Sequence, residues 1–353
     1  MKLLKILTVI MFGISGIVSA QNGPVTVAGS FFNQTPGQIT IPLTVTGFNG
    51  IGAISLTLEY DPTVLTYIQG TQNPGLTGFL AIADNALPSG MHRIIFGWFG
   101  SAVSLPDGSS LVNLNFNYLG GSTDLIWVDD GASCEYGDAT YNTLNDSPYE
   151  CYYVNGIVTS DKKLNLSFLL EGLYDLDAHQ MRSPMGFTSG LCSDAIADDV
   201  QVELHSADDY SNIVFTSDNS NVNTIGLSAL QVSASLNDSY YIVVRHRNSI
   251  ATVSALPVSL TGDMISYDFT DLASKAYGSN MKQMTDGKWA FYAGDVDHDD
   301  SVDTGDMSPV DNDAANYATG YLVTDVNGDD VVDTADITLI DNNASIFVGS
   351  STP

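Results

Sequence analysis

Positive charge is what this chain has least of. Its 353 residues include 11 Lys and Arg against 41 Asp and Glu, which gives a formal net charge of −30. Such a surface repels phosphate backbones, so the composition argues against nucleic acid as a partner. The acidity is also concentrated, because fourteen Asp residues lie between Asp295 and Asp341 and no Lys or Arg follows Lys288.

Long apolar runs are also scarce. The one at residues 6–18 follows two lysines and precedes small residues at a cleavage site between Ala20 and Gln21. We expect residues 1–20 to be a signal peptide and the mature chain to be secreted or held at the cell surface. A retained N-terminal anchor is the alternative, although the run is shorter than the roughly 20 residues that span a bilayer. No later segment reaches that length, so no transmembrane anchor is expected in the mature chain.

The chain has only three cysteines. Cys134 and Cys151 flank a polar, turn-rich stretch, and a disulfide between them would close a loop of about 18 residues and stabilise the fold by roughly 3 kcal/mol. Two free thiols are the equal alternative. Cys192 is left over, without the pattern of His and Asn or Asp that marks a nucleophile.

Catalytic signatures are missing as well. The five His residues are scattered, and the chain has no His-Glu-x-x-His, no Gly-x-Ser-x-Gly, no glycine-rich phosphate loop and no Cys-x-x-Cys. We therefore expect a protein that is not an enzyme. An accessory glycoside hydrolase in the middle of the chain is the enzymatic alternative.

What the chain does have is one acidic twelve-residue loop in two copies, thirty residues apart. The copies are residues 295–306 and 325–336, and both place Asp or Asn at positions 1, 3, 5, 9 and 12. That spacing puts oxygen donors around one point, which suits a hard cation that takes six to eight oxygens at about 2.3–2.6 Å. Mg²⁺ is disfavoured because it demands octahedral geometry and keeps its waters. We predict one Ca²⁺ ion in each loop.

The remainder of the chain reads as β-structure. Apolar and polar residues alternate at 39–45, 54–60, 93–98 and 111–118, with turn residues between these runs, which predicts a β-sandwich over residues 21–160 (the first sandwich). After a polar break, further strands are predicted at 164–170, 200–204 and 240–246. They indicate a second β-sandwich over residues 161–293 (the middle segment), followed by a small helical calcium-binding domain at 294–349 (the loop pair). The predicted fold class is mainly β.

Two stretches of the first sandwich carry a family resemblance. Residues 56–65, Leu-Thr-Leu-Glu-Tyr-Asp-Pro-Thr-Val-Leu, resemble the cohesin signature, and the closing run Tyr-Val-Asn-Gly-Ile-Val at 153–158 resembles the ending of the same family. The resemblance implies a nine-stranded jelly roll, a fold that cohesins share with several carbohydrate-binding modules. Residues 241–255 resemble a module that recurs in large bacterial surface proteins, which implies a location and no chemistry.

The loop pair resembles type I dockerin, in which two EF-hand-like calcium loops are each followed by a helix. Asp at position 12 is the dockerin choice. The resemblance and the loop geometry together imply two ligand sets, in which Ser301 and Val331 contribute carbonyl oxygens and Asp303 and Asp333 act through water. The first set is Asp295, Asp297, Asp299, Ser301, Asp303 and Asp306; the second is Asp325, Asn327, Asp329, Val331, Asp333 and Asp336.

In dockerins, the residues at loop positions 10 and 11 contact the cohesin partner. Here they are small and nearly alike, which implies a flat contact and binding in two orientations; the alternative is that they only begin a helix. The residues are Thr304, Gly305, Thr334 and Ala335.

Two features of the loops depart from or add to that pattern. Position 6 holds Asp300 and Asp330 where glycine is usual, and this position needs a left-handed backbone that Asp adopts at a cost on the order of 1 kcal/mol. We expect weaker calcium affinity without its loss. At position 8, we expect Val302 and Val332 to pair with each other as a short strand.

Two other groups admit more than one interpretation. Arg245-His246-Arg247 is a local concentration of positive charge that faces either solvent, an acidic partner or a carboxylate of the same chain. Trp98 with Phe99, and Trp127, belong either to the core or to a sugar-stacking platform on the first sandwich.

Together these features predict a secreted, non-catalytic modular protein that mediates calcium-dependent protein–protein assembly of the cohesin–dockerin type in a polysaccharide-related complex. Its partner would be another protein or a second copy of the chain, head to tail. A carbohydrate-binding protein tethered through its dockerin is the first alternative. A purely structural role for the calcium loops is a further one.

Overall fold

The computed structural model describes residues 22–128, 130–131, 133–184, 196–217 and 220–353. The predicted signal peptide and Cys192 lie outside the described residues. Within these ranges, no helix is long and apolar enough to cross a membrane.

The first sandwich consists of two facing sheets. One has the strand order β10-β1-β2-β7-β4, and the other has the order β11-β8-β3-β6-β5, with β9 added against β3. A short 3-10 turn, Tyr149–Cys151, precedes β10. The strands are β1 (Val25–Ala28), β2 (Gly37–Thr46), β3 (Ile51–Tyr60), β4 (Leu65–Gln72), β5 (Ala81–Ala86), β6 (His92–Val103), β7 (Ser109–Tyr118), β8 (Ser122–Trp127), β9 (Glu135–Gly137), β10 (Tyr153–Val154) and β11 (Gly156–Thr159).

Period-two alternation explains why these segments form strands. In β7, for example, every second residue from Leu114 to Tyr118 is buried, and the residues between them are half-buried asparagines. All four runs that the alternation predicts fall inside β2, β3, β6 and β7. Trp98 and Trp127 are 3% and 2% exposed and belong to the core, so neither forms a surface platform for a sugar ring.

The predicted disulfide between Cys134 and Cys151 is wrong. Cys134 is a free thiol, buried on the inner side of β9, and Cys151 is disulfide-bonded, but not to Cys134. The Cys134 thiol instead donates to the carbonyl oxygen of Thr57 and accepts from its backbone N–H, at 3.5 and 3.4 Å. Burial raises the pKa of this thiol, so the group is held in its neutral form.

Most strands of the middle segment belong to one nine-stranded sheet. Its strand order is β20-β19-β15-β17-β18-β12-β22, with β16 added to β15 and β21 to β19. Short pairs β13–β14 and β23–β24 and two 3-10 turns, Ala273–Lys275 and Tyr277–Ser279, complete the segment. The strands are β12 (Lys162–Ser167), β13 (Tyr174–Asp175), β14 (Gln180–Met181), β15 (Ile196–Ser206), β16 (Ile213–Thr216), β17 (Ser220–Asn223), β18 (Leu227–Val232), β19 (Ser239–His246), β20 (Ser249–Val253), β21 (Val258–Ser259), β22 (Met264–Asp268), β23 (Lys282–Gln283) and β24 (Trp289–Ala290).

The loop pair contains the two α-helices of the described chain, α1 (Thr304–Ala315) and α2 (Thr334–Ala344), each directly after position 9 of its loop. The predicted fold class, mainly β with a small helical C-terminal part, is therefore confirmed. The helices and loops share a cluster of buried aliphatic side chains, to which the middle segment contributes Ile250.

The predicted pairing of Val302 with Val332 is wrong. The N–H of Val302 donates to the carbonyl of Val348, after α2, and the N–H of Val332 donates to the carbonyl of Ala318, after α1. Bridges Ser301–Gly349 and Thr319–Val331 lie beside these bonds. Each loop is thus joined to the segment that follows the helix of the other repeat, and both valines are buried between them.

The first sandwich and the middle segment meet through few side chains. Nδ2 of Asn33 donates to Oδ1 of Asp263 at 2.6 Å, and both groups are exposed. Nζ of Lys163 lies 5.4 Å from the ring centroid of Phe32. Backbone bonds near residues 159–161 hold the chain itself at this point.

Candidate metal and docking sites

Both loops are closed by the residue at position 12. In the first loop, Oδ1 of Asp306 accepts hydrogen bonds from the backbone N–H groups of Val296 and Asp297, and Oδ2 accepts from the N–H of Asp303. Asp336 accepts the three equivalent bonds in the second loop. Each carboxylate therefore holds the start of its helix against the start of its loop.

The oxygen atoms of the first loop converge. Carboxylate oxygens of Asp295, Asp297 and Asp299 lie within 4.8 Å of one another. The Oδ1 atom of Asp295 is buried and has no hydrogen-bond partner among the described residues. Because a buried carboxylate oxygen without a donor is unfavourable unless a cation neutralises it, the three side chains fit a metal ion.

Electrostatics point the same way. Burial, followed by the negative charge of Asp306, raises the pKa of Asp295 to about 6. Burial also raises the pKa of Asp306, Asp325 and Asp336. Like charges so close together and so far from water are stabilised by a divalent cation.

The second loop differs at position 1. Oδ1 of Asp325 accepts from the N–H groups of Gly328 and Asp329 at 2.9 and 3.2 Å, and Oδ2 accepts from Asp330 at 3.1 Å. Oδ1 of Asn327 accepts from Asp329 at 2.8 Å. Backbone N–H groups of the second loop therefore hold its position-1 carboxylate, that of Asp325. Oδ1 of Asp295, at position 1 of the first loop, has no such hydrogen bond among the described residues.

Backbone dihedrals confirm the expectation for position 6. Asp300 has φ of 67° and Asp330 has φ of 74°, both in the left-handed region. Position 4 is left-handed too, with His298 at 59° and Gly328 at 68°. Each loop thus turns twice, and in the first loop neither of the two left-handed positions is a glycine.

The other predicted ligands lie at the ends of the loops. Ser301 and Val331 lie at the two β-bridges described above. Asp303 and Asp333 are the N-caps of α1 and α2, and each accepts from the N–H two residues on, at 2.6 and 2.7 Å. One oxygen of each N-cap carboxylate is therefore used in capping its helix.

The residues at positions 10 and 11 begin the helices and are exposed in both repeats. Thr304 and Gly305 form the first turn of α1, and Thr334 and Ala335 form the first turn of α2. The two pairs present small side chains to solvent at equivalent places in the duplicated structure.

The middle segment packs against the second loop. A Cβ atom at Gly172 would lie 2.1 Å from the carbonyl oxygen of Val326, and one at Gly328 would lie 2.4 Å from Leu173. Asn327 is 8% exposed, whereas its counterpart Asp297 is exposed. The second loop is thus enclosed, and the first is largely open.

The basic cluster, Arg245-His246-Arg247, lies where the middle segment packs against the loop pair. Its charges face carboxylates of the same chain. Nε of Arg245 lies 3.1 Å from Oε2 of Glu203, and Nη1 lies 3.6 Å from Oδ1 of Asp300 in the first loop. Nε of Arg247 lies 3.0 Å from Oδ2 of Asp198, which is fully buried. The basic cluster was visible in the sequence, but its carboxylate partners were not.

The two outer faces of the first sandwich differ in chemistry. The face of the β2–β7–β4 sheet is polar: Asn113, Asn115 and Asn117 point outward from β7, and Thr40 of β2 donates to Asn115. The face of the β3–β6–β5 sheet carries small or apolar residues at the outward positions of one end of the β5–β6 pair (the apolar face), whereas Asn85, Arg93 and Glu59 lie at its other end. The small or apolar residues are Ala81, Ala83, Ile95, Gly97 and Phe99.

Two phenyl groups mark one end of the apolar face. Phe99 is 81% exposed and Phe79 is 82% exposed. Because Ala81 pairs with Gly97, residues two positions beyond each of them lie at the same end of the β5–β6 pair. Sequence analysis named Phe99 together with Trp98, and period-two alternation along β6 places the two side chains on opposite faces, so that Trp98 is buried and Phe99 is exposed.

Comparison with known proteins gives a match for the first sandwich. Residues 28–146 match the family model of the Cohesin domain, which supports a non-catalytic module for protein–protein assembly in this part of the chain. The match covers less than half of the chain. No curated protein matches the chain.

Among solved structures, a non-cellulosomal cohesin from Archaeoglobus fulgidus is similar at 22% identity, over 38% of this chain and 88% of that one, with a TM-score of 0.29. The sixth cohesin of scaffoldin B from Acetivibrio cellulolyticus, solved in complex with a Cel5 dockerin, is similar at 21% identity, over 39% and 99% of the chains, with a TM-score of 0.31. A cohesin from Clostridium acetobutylicum, CaCohA2, is similar at 18% identity, over 40% and 92%, with a TM-score of 0.32.

Proposed function

We propose that this chain is a secreted, non-catalytic assembly protein with two protein-binding ends. The first sandwich binds one partner through its apolar face, and the loop pair holds two Ca²⁺ ions and docks to another, as type I dockerins do. The observation that carries the proposal is the duplicated pair of loops, in which equivalent carboxylates, caps and cross-bridges recur at a spacing of thirty residues.

Calcium binding is the first part to test. Each ion would take side-chain oxygens from positions 1, 3, 5 and 12 and one backbone carbonyl, which supplies most of the six to eight oxygens that Ca²⁺ needs. Isothermal titration of the full chain with Ca²⁺ should give two ions per chain. Asp306→Asn and Asp336→Asn should each remove one ion, whereas Asp311→Asn, an exposed position on α1, should remove none. Stoichiometry of zero in the unaltered chain would overturn the proposal.

Docking by the loop pair is the second part. Positions 10 and 11 are exposed and small in both repeats, so a bulky charged side chain there should block a flat contact. The full chain, immobilised with Ca²⁺, should capture a partner from the secreted proteins of the source organism and release it with chelator. Thr304→Arg together with Thr334→Arg should abolish that capture without changing the calcium stoichiometry. Capture that survives both chelator and the double variant would place the contact elsewhere.

The apolar face is the third part. Exposed aromatic residues grouped on a face of small side chains are typical of the centre of a protein interface. Phe99→Ala should remove any partner that the first sandwich captures. The exposed Phe347 of the loop pair offers a matched control, since Phe347→Ala should leave that partner bound.

Charge argues against a second copy as the partner. Residues 21–160 carry eleven Asp and Glu against one Arg, and the loop pair carries fourteen Asp and no Lys or Arg. Two Ca²⁺ ions leave the loop pair strongly negative, so its approach to a first sandwich of the same kind is repulsive at low salt. We expect a monomer in size-exclusion chromatography with Ca²⁺ at low ionic strength; a concentration-dependent oligomer that dissociates in chelator would show head-to-tail assembly.

A further inference from the structure

Two side chains of the middle segment donate hydrogen bonds to backbone carbonyls at the start of the second loop. Nη1 of Arg247 donates to the carbonyl oxygens of Leu322 and Asp325, the latter at 2.9 Å. Nδ2 of Asn248 donates to the carbonyl oxygens of Val323 and Asp325, both at 3.1 Å. The turn between β19 and β20 therefore fixes the backbone of loop position 1 and of the segment just before it.

The guanidinium of Arg247 is itself held in place. Its Nε atom lies 3.0 Å from Oδ2 of Asp198, and its Cζ atom lies 4.7 Å from the ring centroid of Tyr321. The hydroxyl of Tyr321 donates to Oδ1 of Asp198, and Nε2 of His246 lies 3.1 Å from Oδ2. Because the ion pair, the ring and the carboxylate fix one another, Arg247 presents its donors to the second loop in one orientation.

The middle segment makes fewer hydrogen bonds to the start of the first loop. In the described part of the chain, no side chain of the middle segment donates to the backbone carbonyl of Asp295. The N–H of Gly294, just before position 1, donates to the carbonyl of Asn248 at 2.7 Å. The other contacts that reach the first loop join Arg245 to Asp300 at 3.6 Å and His298 to the carbonyl of Arg247 at 2.7 Å. Both His298 and Asp300 are exposed.

We infer that Arg247 and Asn248 are positioning residues for the cation site of the second loop, so that this loop binds Ca²⁺ first and more tightly than the first loop. The inference rests on the calcium binding proposed above. Binding a cation requires a loop to give up conformational freedom, and a loop that is already held loses less on binding. The second loop is held from outside by the middle segment and from inside by the three backbone bonds to Asp325.

Titration of the full chain with Ca²⁺ tests the order of binding. We expect two sites whose dissociation constants differ by about tenfold or more, since the two loops differ by several hydrogen bonds of ordinary strength. Asp325→Asn should remove the tighter site, and Asp295→Asn should remove the weaker one.

Substitution of Arg247 tests the positioning role. Arg247→Lys keeps the charge beside Asp198, but one ammonium group cannot reproduce the fork that reaches both the carboxylate and the loop carbonyls. The tighter dissociation constant should rise about tenfold and the weaker one should stay unchanged. Arg245→Lys is the matched control two residues away, and it should leave the tighter site unaltered. Circular dichroism of each variant reports whether it is folded.

A milder variant keeps the test decisive if Arg247→Lys fails to fold. Tyr321→Phe removes only the hydroxyl that orients Asp198, and it should weaken the tighter site two- to threefold. Two equal sites, loss of the tighter site in Asp295→Asn, or an unchanged tighter site in both Arg247→Lys and Tyr321→Phe would overturn the positioning role and leave calcium binding intact. Absence of any bound Ca²⁺ in the unaltered chain would overturn the proposed function itself.

Discussion

The two junctions of the chain are built in opposite ways. Between the first sandwich and the middle segment, an exposed Asn33–Asp263 hydrogen bond and a Lys163–Phe32 contact are the main side-chain links. Between the middle segment and the loop pair, the contact buries Glu171, Asn248 and Asn343 in a network of hydrogen bonds. From these contacts we expect the first sandwich to be one separable body and residues 161–353 to form another.

This difference bears on what each end of the chain can do. Because few side chains join it to the middle segment, the first sandwich can rotate toward a partner without breaking contacts within residues 161–353. The loop pair cannot move relative to the middle segment without breaking buried hydrogen bonds. We expect residues 161–353 to unfold as one unit and the first sandwich to unfold by itself.

Removal of calcium should produce the largest difference in stability between the two bodies. Saturation at a hundred times the dissociation constant adds about 2.7 kcal/mol per site, or about 5 kcal/mol for two. For a unit of this size, each kcal/mol shifts Tm by roughly 2–4 °C. Differential scanning calorimetry with chelator should therefore lower one transition by roughly 10–20 °C and leave that of the first sandwich in place. A joint shift of both transitions would show that the two bodies are not separable.

Glu171 should be the next largest contributor. Its Oε2 accepts from the N–H of Ala293 at 3.1 Å and from Asn343 at 2.7 Å, and its Oε1 lies 3.4 Å from Nζ of Lys282. Glu171→Ala leaves the buried N–H of Ala293 without its acceptor, removes one of the two acceptors of Nδ2 of Asn343 and removes the ion pair with Lys282, so we expect a loss of about 3 kcal/mol in urea unfolding of the larger unit. Glu150→Ala, at an exposed position of the first sandwich, should change stability by less than about 0.5 kcal/mol.

Gly172 should contribute less. A methyl group there would overlap the carbonyl of Val326, so Gly172→Ala should destabilise the larger unit by about 1–3 kcal/mol through overpacking. Gly262→Ala is the control, because its nearest neighbour would be 3.7 Å away. Equal melting temperatures for the two variants would mean that the second loop can move away from the middle segment at little cost.

Asp263 should contribute least. Its hydrogen bond to Asn33 is exposed, so Asp263→Ala should change the stability of either body by less than about 0.5 kcal/mol. Small-angle scattering should instead show a wider range of orientations of the first sandwich. A loss above about 1 kcal/mol would show that the first junction stabilises the fold as well.

The sequence predicted most of what depends on local pattern. Alternation located β2, β3, β6 and β7, and the acidic spacing located both loops, their helices and the left-handed Asp300 and Asp330. These features arise from residues that are close together in the chain. Spacing alone was sufficient to find them.

What depends on distant contacts was predicted less well. Equivalent loop positions predicted that Val302 and Val332 pair with each other, but each joins the segment after the helix of the other repeat, which the spacing does not identify. Cysteine spacing could not exclude a free, buried Cys134, because disulfide connectivity is set by the fold. The partners of Arg247 lie about fifty to eighty residues away in sequence, and no local pattern identifies them.

The crossed bridges of the loop pair also determine what a cut in the chain would do. Val348 and Gly349 hold the first loop. Cleavage just after α2 would therefore remove the bridge to the first loop, which lies more than forty residues upstream, and would leave the bridge to the second loop in place. The last residues of the described chain thus stabilise the more exposed loop, although they are far from it in sequence.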